Sequence, residues 1–302
     1  MPSAAIVSVM SSLVKRIASI IKETVLRFVG DQMLDAAAAL TYYALLSLVP
    51  GLLMASAVLT LLGTPQTVTD FGTYLTDHGA PAEVVNTVAT SLDAMMKTRL
   101  SSAGLTLVVA ILISLYAASG AFGAAGRALN VVQRNHADLG FVRRKLADLG
   151  ATLLITALAV IALIFVFVGG GLAEDLFALI GLDASASGIW DAVRQFLAVA
   201  VVMLIYAFVY WAAPKSSSRR FKLISPGAVV GVVIWIAASL GFSAYISNFD
   251  TYSAAYGLFG AVIILLIWLW LSNVALLIGA ELNAVLEERK KQRSLRPDGD
   301  QA

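Results

Sequence analysis

The apolar positions of this 302-residue chain run in long unbroken stretches rather than in alternation. A helix needs about 20 apolar residues to cross the hydrocarbon core of a bilayer, and six stretches approach or exceed that: residues 36–62, 103–124, 149–172, 195–213, 226–247 and 258–282. Transmembrane barrels show short alternating strands instead, so these runs predict helices. The pattern differs ahead of the first run. There Ile6, Val9, Leu13, Ile17, Ile20 and Ile21 recur at helical spacing, interrupted by Lys15, Arg16 and Lys22. That spacing predicts a basic amphipathic helix over residues 1–30, lying on the membrane surface or packed on the inner end of the bundle. Residues 63–102 form a long connection, in which Pro81, Val84, Val88, Leu92 and Met95 or Met96 mark a further helix covering the outer side. Residues 31–288 are then a six-span membrane bundle, and residues 289–302 read as a charged, disordered tail.

Composition narrows the class. Hydrophobic residues make up 59% of the chain and charged ones 13%, about half the charged share of a soluble domain. The mean hydropathy is +0.85. The fold class is therefore all-α, a polytopic membrane helix bundle. There is no cysteine, and the two histidines, His78 and His136, are far apart. Thiol chemistry, iron–sulfur clusters and a zinc site are not expected, and neither a metal nor any other cofactor is. No small-residue cleavage site follows a compact apolar stretch at the start, so the first long run reads as a retained span.

Charge then orients the bundle. With the N-terminus inside and the spans alternating, 18 of the 21 basic residues fall on the inner side, and Lys97, Arg99 and Arg194 fall outside. Lysine and arginine bias sets topology, which places both termini in the cytoplasm and the protein in the bacterial inner membrane. The basic segment "RALNVVQRNHADLGFVRRKLADLG" (127–150) suits anionic lipid headgroups. It lacks aromatic platforms among its basic residues, so nucleic acid is not an expected partner.

Ionisable groups at the mouths of spans are costly and usually pair or line a water path. Asp31 and Asp35 precede the first span, and Asp35 shares a helical face with Tyr42, beside Tyr43. Arg127 and Asn130 follow span two, and Glu281 and Asn283 end span six. All sit at the cytoplasmic level. Glu281 is expected to face inward, toward Arg127 or another cytoplasmic arginine, with Asn283 and Tyr42 in the same polar cluster. Such a cluster reads either as a structural ion pair that fixes register or as a site for a substrate or ion. On the opposite side, Asn248, Asp250, Tyr252 and Tyr256 form a polar turn. Pro50 and Gly51 interrupt span one and mark a hinge or a tolerated kink. Ser119 with Gly123, and Gly227 with Gly231, carry the small-residue spacing of close helix contacts. No phosphate-cradling loop, HExxH or GxSxG motif is present, so an enzyme is not expected.

Four segments carry a family resemblance: "DAAAALTYYALLSLVPGLL" (35–53), "ASGAFGAAGRALNVV" (118–132), "PGAVVGVVIWIAASLGFSAYISNF" (226–249) and "YSAAYGLFGAVIILLIWLWLSNVALLIGAELNAVLEE" (252–288). Together they resemble the YihY/BrkB family of bacterial inner-membrane proteins, over about residues 20–290. The family pattern more often has phenylalanine where this chain has Val49. The resemblance implies six spans and a role in the envelope, where members are linked to serum resistance or lipid export. A ribonuclease label borne by some members finds no support in these residues, which offer neither a two-metal site nor a histidine pair. On the family motifs the resemblance singles out Asp35, Tyr42, Tyr43, Pro50, Asn130, Tyr256, Gly257, Glu281 and Asn283. Two functions follow as expectations: a transporter or transport accessory for a lipid, lipid-linked or ionic substrate, with Asp35, Arg127 and Glu281 at its cytoplasmic site, or a non-transporting scaffold for envelope partners. Membrane lipids are the expected partners, and assembly as a homo-oligomer is left open by the sequence.

Overall fold

The computed structural model describes residues 3–62, 104–134, 140–167, 184–214, 221–246 and 250–295, with scattered positions between 69 and 90. Of Pro50, Tyr256 and Gly257 only the helical backbone is described, and Pro81, Val84, Val88, Leu92, Met95 and Met96 of the expected outer helix lie outside the described residues. Seven long helices are described: α1 (Ser3–Gly30), α2 (Met33–Leu62), α3 (Gly104–Val132), α4 (Phe141–Phe167), α5 (Ala184–Ala212), α6 (Pro226–Ile246) and α7 (Asp250–Ser294). No strand is present among the described residues. Among the described residues four helical stretches are long and apolar enough to cross a membrane, Phe141–Phe165, Ala192–Ala212, Pro226–Ile246 and Val262–Ser294, and Met33–Ser47 is a shorter apolar one. The architecture is a membrane helix bundle.

The outward surface has the character that lipid requires. Leu153, Leu163, Phe196, Val233 and Leu240 are exposed, where a soluble bundle would carry charge. The interior is built on small residues: Ala37, Ala118, Ala228 and Ala275 are wholly buried and let the helix backbones approach. Helix α7 is the hub and packs against α6, α2, α1 and α3. Its polar groups tie several of the other helices to it. Asn273 donates to Thr41 Oγ1 of α2 at 3.1 Å, and Ser272 Oγ accepts from Trp235 Nε1 of α6 at 3.0 Å. Tyr210 of α5 donates to the Leu276 carbonyl at 2.6 Å.

Helix α1 meets the bundle through its polar side. Arg27 pairs with Glu23 at 2.6 Å and with Glu288 at 2.7 Å, and Arg289 pairs with Glu23 at 2.6 Å. Arg289 also donates to Ser19 Oγ at 2.9 Å. Burial pushes the Glu23 carboxyl up, but the hydrogen bond from Arg289 and the charges of Arg27 and Arg289 outweigh it and hold Glu23 below its ordinary value. Burial likewise opposes the charge on Arg27, and the hydrogen bond to Glu288 overcomes it, so Arg27 is held above its ordinary value. Met10, Leu13, Ile17, Ile21 and Val25 remain exposed, which leaves an apolar stripe for the membrane interface. The segment expected to be a disordered tail from residue 289 begins as a continuation of α7, which runs to Ser294 and is tied to α1 by Arg289.

Candidate functional site

The site is built from the last helix. Gly279, Ala280, Glu281 and Asn283 occupy little more than one turn of α7, so they point in different directions. Gly279 faces α6. A Cβ placed on it would strike the Gly227 carbonyl and the Tyr210 hydroxyl, and one on Gly227 would strike the Gly279 carbonyl. The two glycines are where α6 and α7 cross backbone to backbone. Asn283 locks the same crossing: its Oδ1 accepts from Gly227 N at 2.8 Å and its Nδ2 donates to Ser225 Oγ at 3.0 Å. Ser225 in turn accepts from Ala228 N at 3.1 Å, the bond of an N-cap serine ahead of Pro226 in the first turn. Two of the orphan donors at the start of α6 are thus satisfied, one by its own cap and one by α7.

Glu281 faces the other way and is 0% exposed. Among the described residues no donor reaches either of its carboxylate oxygens. The group within hydrogen-bonding reach is another acceptor, the carboxyl of Asp31, and the positive charges acting on it are those of Arg27 and Arg134. Two strained turns bring these groups in. The non-glycine residues of positive φ among those described are Gln32 (54°) and Arg134 (50°). Gln32 follows Asp31 in the break between α1 and α2, where Asp31 N donates to the Arg27 carbonyl at 2.7 Å. Arg134 closes the end of α3, its N–H donating to the Val131 carbonyl at 2.9 Å. Left-handed conformation is costly for either side chain, and such strain gathers where geometry has a use.

Next to Arg27 and Arg134 opens a polar cavity of about 480 Å³, whose walls also include Gln133, Glu287, Glu288 and Lys291. Gln133 Oε1 is buried there without a hydrogen-bond partner. The volume lies within the range of small-molecule sites. A second hollow of about 410 Å³ runs between α2 and α7, an open groove lined by Thr41, Tyr42, Leu45, Leu266, Ile267 and Trp270.

The residues singled out from the sequence disperse over these features. Glu281 sits at the centre, but Asn283 belongs to the α6 crossing. Arg127 lies by Asp148: a Cβ on Gly123 would meet Asp148 Oδ2 at 3.1 Å and Arg127 Nη1 at 3.7 Å. The arginines near Glu281 are therefore Arg27 and Arg134 in place of Arg127. Asp35 is exposed in the first turn of α2, and the acid beside Glu281 is Asp31. Tyr42 is 60% exposed on the apolar groove, edge-on to Tyr43 at 5.4 Å. The Tyr43 ring covers Gly120 of α3. Asn130 is half-buried in the last turn of α3. Helix α2 continues through Pro50. The sequence reading did not select Arg27, Arg134 and Gln133 for the site. A signal was available only for the arginines, as cations needed to offset a buried acid.

No group of three or more potential metal ligands occurs among the described residues. The sequence profile of the family described as "Virulence factor BrkB" matches residues 24–302. The chain belongs to the BrkB family. Among BrkB relatives, the Bacillus subtilis protein named "Putative ribonuclease-like protein YfkH" is 32% identical over 277 residues, covering 90% of this chain and 97% of its own. A "UPF0761 membrane protein" of Xanthomonas campestris pv. campestris is 28% identical over 263 residues, 85% of this chain. A namesake from Xanthomonas oryzae pv. oryzae matches to the same extent. This BrkB chain spans 58% of the length of each Xanthomonas relative. No solved structure matches it. With its apolar helices, the BrkB chain is a multi-pass membrane protein.

Proposed function

We propose that this chain is a six-span inner-membrane transporter or transport accessory, with both termini in the cytoplasm. Its substrate is a lipid, a lipid-linked group or an ion, and Glu281 is the working group at the cytoplasmic mouth. The observation that carries the reading is the wholly buried Glu281 carboxyl, without a donor to either oxygen among the described residues, near the Arg27 and Arg134 that line a polar cavity. A carboxyl kept for structure alone is normally saturated with hydrogen bonds, and ionisable groups inside membrane bundles generally serve ion or substrate paths. The cavity wall mixes Arg27, Arg134 and Lys291 with Glu287 and Glu288, a lining that suits a charged headgroup better than an acyl chain.

The test is flux in proteoliposomes. Leaflet exchange of a headgroup-labelled anionic phospholipid and acidification of an entrapped dye would be followed for wild type and Glu281→Gln. Reduced flux in a folded variant supports the reading, and unchanged flux removes Glu281 from it. The second reading, a non-transporting scaffold for envelope partners, draws support from the backbone-to-backbone closure of α6 on α7. It requires that wild type and variant both lack flux.

A further inference from the structure

The transport reading does not name the ion that Glu281 handles, and the surroundings of its carboxyl do. Its two oxygens are buried and receive no donor among the described residues. The partner within reach is the Asp31 carboxyl, which, like Glu281, can only accept when ionised. Two carboxylates in contact repel strongly, and one proton between them turns two acceptors into a donor and an acceptor. The nearby cations do not take over that task. Arg27 is engaged by Glu23 at 2.6 Å and Glu288 at 2.7 Å. Arg134 stands in the cavity wall at the exposed end of α3. Among the residues packed around the site, the charges acting on Glu281 are Asp31 and Arg27 from the α1 end and Arg134 from α3; Asp35 of α2 is exposed. Helix α6 meets α7 on the side away from Glu281, and its contact residues there, Ser225 at the N-cap and Gly227, carry no charge.

We propose that Asp31 and Glu281 form a proton-binding site, with one proton held between the two carboxyl groups and exchanged with water through the cavity lined by Arg27 and Arg134. On release the proton passes from the carboxyl to water, leaving two carboxylates and a hydronium ion. The added negative charge then falls to Arg134 and Arg27. Arg27 is also the residue that ties α1 to α7 through Glu288. Loss of the proton therefore draws Arg27 from Glu288 and loosens α1 over the cavity, and regaining it restores the tie. The inference rests on the transport reading and names its coupling ion.

The test uses the full-length protein in nanodiscs and needs no substrate, so its failure is distinguishable from a failure of the flux assay. Infrared difference spectra between near-neutral and alkaline pH should show a protonated carboxylic-acid carbonyl band that shifts in deuterium oxide and fades as the pH rises. The band should be absent in Glu281→Gln and in Asp31→Asn, both of which supply their own donor and preserve side-chain volume. Absence of the band in the wild type near neutral pH overturns the proposal, as does its survival in both variants. A further overturning result is thermal stabilisation by sodium over potassium in wild type but not in Glu281→Gln, which would assign the site to a metal cation.

Discussion

The crossing of α6 and α7 at Gly227 and Gly279 invites a quantitative perturbation, Gly227→Ala. The new Cβ would fall 2.5 Å from Asn283 Cγ and 2.6 Å from its Nδ2, and against the Gly279 carbonyl, where ordinary contact begins near 3.4 Å. The amide could swing aside; the carbonyl of a helix cannot. The helices must therefore part by on the order of 1 Å, at a cost of about 1–3 kcal/mol for overpacking. Parting also stretches the 2.8 Å bond from Gly227 N to Asn283 Oδ1, which adds about 0.6 kcal/mol on the scale of membrane side-chain hydrogen bonds. The expected loss is about 2–4 kcal/mol. Gly241 supplies the control within the same helix: it is exposed, nothing lies within 4 Å of a Cβ placed there, and alanine is the better helix former by up to about 1 kcal/mol. The assay is reversible unfolding in mixed micelles, followed by helicity. The reasoning is refuted if Gly227→Ala unfolds together with wild type, or if Gly241→Ala loses as much.

Other perturbations probe the remaining ties. Tyr210→Phe deletes the 2.6 Å bond to the Leu276 carbonyl and should cost about 0.5–1.5 kcal/mol, more than Tyr206→Phe, whose bond to the Ser272 carbonyl is 3.3 Å; chemical unfolding of the two side by side decides it. Arg289→Ala removes contacts to Glu23 and Ser19, so amide exchange in α1 should accelerate while α4 to α6 stay protected, and uniform exchange would contradict that docking. Because Glu23 is held below its ordinary value of 4.5, its stabilising contribution is fully present above that pH and is lost as the pH falls through the depressed value. The melting difference between wild type and Glu23→Gln should accordingly be present at pH 6 and vanish in strong acid, and a difference that grows in acid would reverse the sign of the argument.

The helix order was legible in the sequence because lipid imposes one rule, an apolar run of sufficient length, and hydropathy reads that rule directly. The ends were not. Apolarity fades near residue 124, yet α3 continues to Val132, and it fades near 282, yet α7 continues to Ser294. Helical hydrogen bonding does not stop where the hydrocarbon does. Glu281 was legible as a carboxylate closing an apolar run. Its partners were not, since charge counting gives the level of a residue across the membrane but not its angle about the helix axis. Arg127 and Arg134 both follow span two, and only Arg134 turns toward Glu281. The preference for Asp35 over Asp31 came from the face Asp35 shares with Tyr42 and from the family motif it opens. Neither reveals the positive φ of Gln32 in the turn ahead of α2, and glutamine, unlike glycine, gives no warning of it.

Helix α7 holds the complementary group for four earlier helices: Glu23 of α1, Thr41 of α2, Tyr210 of α5 and Gly227 of α6. It follows the other described helices along the chain, so the ties those helices make to it form only once α7 has been synthesised. A polypeptide cut short before residue 270 would still integrate but would not compact, and membrane quality control would have its recognition window in the interval before then.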